Sequence, residues 1–206
     1  MVGRTTEAVG ASITRNASEG EPSFHRLILP VGPVRLHWFP AEGSTYVSVD
    51  ALAVGSLLTT VLSSTMELDF DSGRSLNSGT PVFLARNWEP RWGWHARHGP
   101  GAIVLRGDRE GSSWMDHRGR DPFLDRALAH ERVHMIQYDQ AHILWGDPTE
   151  KRLMERLRAG PGLTRHVDFS LHAFPFFLLN HVVDYDDLPW EIEAHTLSGT
   201  RDTYGR

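Results

Sequence analysis

The chain contains no cysteine. A disulfide framework, a thiolate nucleophile and a cysteine-ligated metal site are therefore all excluded. Positive charge is not in excess either: 21 Lys and Arg stand against 26 Asp and Glu, for a formal net charge of −5. Phosphate backbones are held by clustered cations, so no nucleic-acid partner is expected. Long apolar runs are also missing. The most lipid-like stretch, Val47 to Met66, carries Asp50 and many Ser and Thr, and it barely reaches bilayer length. A buried helix or a pair of strands is the better reading there, and no transmembrane segment is expected. Met1 to Pro22 lacks the apolar core of a secretory signal, which points to the cytoplasm.

What remains is the balance of a globular domain, with 40% hydrophobic and 23% charged residues among 206. Residues 1–22 are polar and show no apolar period, so they read as a flexible arm ahead of a single domain at 23–206. From Phe24 to about Gly107 short apolar runs alternate with Pro, Gly, Asp and Asn clusters. Leu27 to Leu29, Val34 to Phe39, Tyr46 to Val49, Pro81 to Ala85 and Ala102 to Leu105 are strand candidates, and Ala51 to Ser63 reads as a helix. From Asp121 the pattern becomes helical. Asp121-Pro122 opens a helix that runs to Trp145, and Gly146-Asp147-Pro148 stops it. Further helices are expected from Asp147 to Gly160, from His166 to Val183 with a break near Pro175, and from Pro189 to about Gly199. A strand-rich N-terminal half followed by a helical C-terminal half predicts an α+β fold.

The long helix contains His130-Glu131-Arg132-Val133-His134. Residues four apart share a helix face, so the imidazoles of His130 and His134 can bind one metal ion. Glu131, next to the first ligand, can polarise water at that ion and act as general base. With no thiolates, nitrogen and oxygen ligands of this kind suit zinc. A third ligand is needed, and Pro189-Trp190-Glu191-Ile192-Glu193-Ala194-His195 offers three. Glu191 and Glu193 face different directions, whereas His195 shares a face with Glu191. Acidic residues also favour a helix N-terminus for electrostatic reasons alone.

His130-Glu131-Arg132-Val133-His134-Met135-Ile136-Gln137-Tyr138, followed by Leu188-Pro189-Trp190-Glu191-Ile192-Glu193-Ala194, resembles the gluzincin zinc metallopeptidases. It is closest to small bacterial proteins of unknown function with His-Glu-x-x-His-x-x-Gln-Tyr and a later Pro-aromatic-Glu-x-Glu-Ala segment. The second segment is also similar to the Glu-x-x-x-Asp motif of CAAX-type prenyl proteases. The resemblance covers about Ala102 to Gly199. It implies a minimal zincin-like fold, a peptide or protein substrate, and a zinc-binding role for Glu191. His195 stands where that motif has Asp, so it is expected to orient a ligand or to bind metal itself. In zincins a strand beside the active-site helix binds extended substrate, which makes Ala102 to Leu105 a substrate edge or, equally, an interior strand.

A transition-state donor is expected from His172 to Tyr185, with His181 and Tyr185 foremost, although His181 sits among apolar residues and suits a core position. Gln137 is placed to support His134, and Tyr138 to pack. Trp88, Trp92 and Trp94 stand among Arg86, Arg91, His95, Arg97 and His98, a pattern that fits a loop over the cleft. The leading expectation is a zinc-dependent endopeptidase. The alternatives are a zinc-stabilised binding module without catalysis and a metal-free interaction protein using the Trp-rich stretch.

Overall fold

The computed structural model describes residues 2–63, 67–86, 96–99, 101–107, 122–144, 166–168 and 188–199, with a few positions between 152 and 162. Helix α1 spans Val2–Ser18. It is followed by β1 (Leu27–Val31), β2 (Val34–Phe39), β3 (Ser44–Asp50), α2 (Ala51–Ser63), β4 (Glu67–Phe70) and α3 (Ser72–Ser78). Then come β5 (Val82–Arg86), β6 (Ala96–Gly99), β7 (Ala102–Arg106), α4 (Pro122–Leu144), β8 (Val167–Asp168) and a last helix, α5 (Pro189–Ser198). The architecture is α+β as expected.

The first correction concerns the N-terminus. Residues 2–18 form a helix rather than a flexible arm. The buried positions of α1 are Arg4, Ala8, Ala11, Ser12 and Asn16, which recur at helical spacing. They are polar or small, so no apolar period marks them in the sequence. Each polar member has a partner. Arg4 pairs with buried Asp139 of α4 and also reaches the Gly79 carbonyl at 2.7 Å. The Ile28 amide donates to Ser12 Oγ at 3.0 Å, and Asn16 donates to the carbonyls of Ser23 and Arg26.

Two four-stranded sheets flank α4. The first has the order β1-β2-β3-β8. β1 and β2 form a tight hairpin with Val31 opposite Val34, and Gly32 supplies the positive φ of 59° that the two-residue turn requires. β2 and β3 are antiparallel, and β8 joins β3 in parallel through Val49 and Asp50. The expected helix from His166 therefore begins differently: Val167 and Asp168 are strand, and residues 169–187 lie outside the described part. The second sheet has the order β4-β5-β7-β6. β7 (Ala102–Arg106) lies inside it, parallel to β5 and antiparallel to β6, so the expected substrate edge at Ala102 to Leu105 is an interior strand. The outer strand on that side is β6.

Packing centres on α4. Val82, Ile103 and Leu105 of the second sheet meet Leu124, Ala127, Leu128 and Met135 of α4 in one core. Ala8, Ala11 and Ile28 meet Ile143 in a second core on the other side. Helix α2 crosses the start of β7 so closely that a Cβ on Gly101 would lie 1.8 Å from the Ala53 carbonyl oxygen, which only glycine avoids. Among the described residues no helix is long and apolar enough to cross a membrane.

Candidate metal centre

Helix α4 is built to present a row of polar groups inside the molecule. Its apolar residues Leu124, Ala127, Leu128 and Met135 anchor it to the second sheet. His130, His134, Tyr138 and His142 follow at successive intervals of four, along one side of the helix. The two motif histidines are buried, 6% and 4% exposed, and so is Glu131 at 5%. Helix α5 opens with Pro189, which presets the backbone of a first helical turn. Leu188, Glu191 and Ala194 recur every three residues and are all buried, so one face of α5 carries a carboxylate between two apolar contacts. That face brings Glu191 to the histidine pair.

Three ligand atoms converge there. His134 Nε2 lies 3.1 Å from His130 Nε2 and 3.1 Å from Glu191 Oε2, and His130 Nε2 lies 3.2 Å from the same oxygen. A tetrahedral ion with bonds of about 2.0 Å separates its ligand atoms by about 3.3 Å. The triangle therefore fits one face of such a site. Two imidazole nitrogens and one carboxylate oxygen are a donor set suited to a divalent ion of zinc type.

The other candidates separate clearly. Glu193, the sequence alternative to Glu191, is exposed on the next face of α5 and accepts a hydrogen bond from Gln137 Nε2 at 2.9 Å. His195 stands beside the site, with its ring 4.5 Å from the ring of His130. One ligand atom each from His130, Glu191 and His195 lies within 4.8 Å of the others. The His130–His134–Glu191 triangle is the tighter of the two sets. His181 and Tyr185 lie outside the described residues, as do Trp88, Trp92 and Trp94.

Gln137 touches both helices of the site. Its Oε1 lies 2.8 Å from His134 Nδ1, and its Nε2 donates to the Trp190 carbonyl at 3.0 Å. Burial alone would lower the pKa of His134. The hydrogen bond and charge of Glu191, the charge of Glu131 and the bond to Gln137 outweigh burial and raise it above the ordinary imidazole value. His130 Nδ1 is buried without a partner among the described residues.

No protein-family model, curated protein or solved structure matches this chain. Its site must be read from its own geometry.

Beyond the candidate metal ligands the stripe on α4 continues into a second buried network, which packing arguments from sequence overlooked. Tyr138 is not simply packed: its hydroxyl donates to Asp50 Oδ2 at 2.7 Å, and Asp50 also pairs with buried Arg35. The other oxygen of Asp50 accepts the amides of Leu52 and Ala53 and caps α2. One turn further, His142 Nε2 lies 3.3 Å from Asp168 Oδ2 of β8. Ser48 donates to that same oxygen at 3.2 Å, and His37 Nε2 lies 2.7 Å from Ser48 Oγ. Burial and the charge of Arg35 lower the pKa of His142. Asp168 resists burial through the hydrogen bond from His142 and the charge of Arg35, and it stays ionised. The signal for this network was present in the sequence as a polar residue at every fourth position of α4.

Proposed function

We propose that the protein is a zinc-dependent metallopeptidase of gluzincin type that hydrolyses peptide bonds in a peptide or protein substrate. His130, His134 and Glu191 hold the ion, and Glu131 is the general base. The observation that carries this reading is the convergence of three ligand atoms at 3.1–3.2 Å, with a buried carboxylate one residue away on the same helix. When bound, zinc supplies a Lewis acid that brings water towards ionisation near neutral pH. Glu131 takes a proton from the attacking water at its carboxylate and delivers it to the departing amine nitrogen. Burial of the site keeps bulk water away from that transfer and strengthens the charges within it. His195, half-buried with its ring 4.5 Å from that of His130, is the proposed donor of a hydrogen bond to the carbonyl oxygen as negative charge grows there. β6 is the outer strand of the second sheet and packs near α4, so an extended peptide can add to it through backbone hydrogen bonds.

His195 favours a second reading. As a fourth protein ligand it would close the centre and leave a structural zinc without an open position. The deciding experiment is elemental analysis of purified protein beside His130→Ala, followed by digestion of a mixed peptide library. One zinc per chain, lost in the mutant, together with cleavage supports the peptidase. Zinc without cleavage of any peptide supports the structural site. No metal in either protein after reconstitution overturns both.

A further inference from the structure

We propose that Gln137 is the positioning residue of this centre, setting the tautomer of His134 and holding Glu191 in place through the same amide group. The inference rests on the reading of the site as a zinc centre. The amide orientation follows from its partners. One end faces the Trp190 carbonyl at 3.0 Å and the Glu193 carboxylate at 2.9 Å, both of which only accept hydrogen bonds. That end must be the NH2 group, because an oxygen there would face two acceptors. The remaining atom, Oε1, can only accept, and it lies 2.8 Å from His134 Nδ1. The neutral His134 ring therefore carries its proton on Nδ1, which leaves Nε2, facing His130 and Glu191, as the ligand atom.

The donor side does a different job. Trp190 precedes Glu191 in the first turn of α5, so a hydrogen bond to its carbonyl fixes that turn against α4. Ligands from two helices must arrive at one point, and α5 starts 45 positions after α4 ends (189 − 144). Chain connectivity cannot supply that alignment. A single side chain spanning both helices can. Groups that orient metal ligands in this way typically raise metal affinity by on the order of 10- to 100-fold.

Three variants separate the two jobs. Gln137→Met removes both ends while keeping the length of the side chain. Gln137→Glu keeps an acceptor for His134 Nδ1 but sets a carboxylate against the Trp190 carbonyl and Glu193. Glu193→Ala removes only the exposed partner. Two quantities are measured: zinc affinity by competition with a chelator, and the tautomer of His134 in metal-free protein from the nitrogen-15 shifts of its ring, at a pH high enough for the ring to be neutral. The wild type is expected to show Nδ1–H at His134. Gln137→Met is expected to lose that preference and to bind zinc on the order of 10- to 100-fold more weakly. Gln137→Glu should keep the tautomer and still lose affinity, and Glu193→Ala should leave both nearly unchanged. Circular dichroism identifies any variant that has failed to fold, and Gln137→Glu then carries the test. Unchanged affinity in folded Gln137→Met, or an Nε2–H tautomer in the wild type, overturns the proposal. If wild-type protein takes up no zinc, the reading of the centre fails separately, and the tautomer alone decides the role of Gln137.

Discussion

Glu131 is where the proposed chemistry can be separated from the metal. Its carboxylate is buried next in sequence to His130, and in the proposed mechanism it moves a proton rather than binding the ion. Glu131→Gln keeps the size of the side chain and removes the base. Zinc content should stay at one per chain, and peptide hydrolysis should fall by about 10²- to 10⁴-fold. Metal analysis and kcat on one peptide substrate check this, and full activity in the mutant would refute the mechanism. His142 allows a second prediction. Its folded pKa lies below the ordinary value of 6.5, because burial and Arg35 oppose the charge. The unfolded chain thus binds the extra proton first. The stabilisation from neutral His142 is complete above pH 6.5 and declines as the pH falls below it, by up to about 1.4 kcal/mol per pH unit. The neutral form also suits the geometry: Nε2–H donates to Asp168, and Nδ1, which has no partner among the described residues, remains a bare acceptor rather than a stranded donor. His142→Gln can still donate to Asp168 but does not titrate. Urea midpoints of metal-free protein at pH 7.5 and 5.5 should differ less for His142→Gln than for wild type. Parallel losses would exclude His142 as the source.

At the scale of elements, α1 tests how polar packing substitutes for apolar packing. Arg4 and Asp139 are 5% and 4% exposed at their side chains, so losing the guanidinium strands a buried carboxylate. Arg4→Met should cost about 3–5 kcal/mol, and adding Asp139→Leu should recover much of it. Urea denaturation of the single and double variants measures both. The same chemistry explains why α1 could not be seen in the sequence. A helix is read from apolar recurrence, and here the buried positions are Arg4, Ala8, Ala11, Ser12 and Asn16. Elements with apolar faces were legible: β1, β2, β3, β5, β7, α2, α4 and α5 all fall where periodicity and turn residues place them. β4, α3, β6 and β8 were not. β4 (Glu67–Phe70), α3 (Ser72–Ser78) and β6 (Ala96–Gly99) lack the apolar runs that mark the other elements, and β8 exists only because Val167 and Asp168 pair with Val49 and Asp50.

For the molecule as a whole, α4 is the common support. It carries a core on each side, the Tyr138–Asp50 and His142–Asp168 links to the first sheet, and the ligand pair that meets α5. The ligand pair was legible because a spacing of four on one helix is local information. For the third candidate ligand the resemblance pointed to Glu191, but spacing alone left Glu193 and His195 open, because only the packing of α5 buries Glu191 beside the histidine pair and leaves Glu193 exposed. α5 is therefore where metal binding and folding are most tightly joined. Its described side-chain contacts with α4 include the Gln137 bonds, the His130–His195 ring contact and the triangle of candidate ligands. Zinc binding to the folded state alone stabilises it by about 2.7 kcal/mol when free zinc is a hundredfold above its Kd. Removing zinc with a chelator should lower the global stability by an amount of that order. It should also loosen α5 before the rest, since α4 keeps both of its cores. Hydrogen exchange should then rise first in residues 189–198 and little in residues 124–135. Uniform loosening of both helices would mean that α5 is held by its apolar face rather than by the ion, and unchanged exchange after full zinc loss would mean that the ion contributes nothing to the fold.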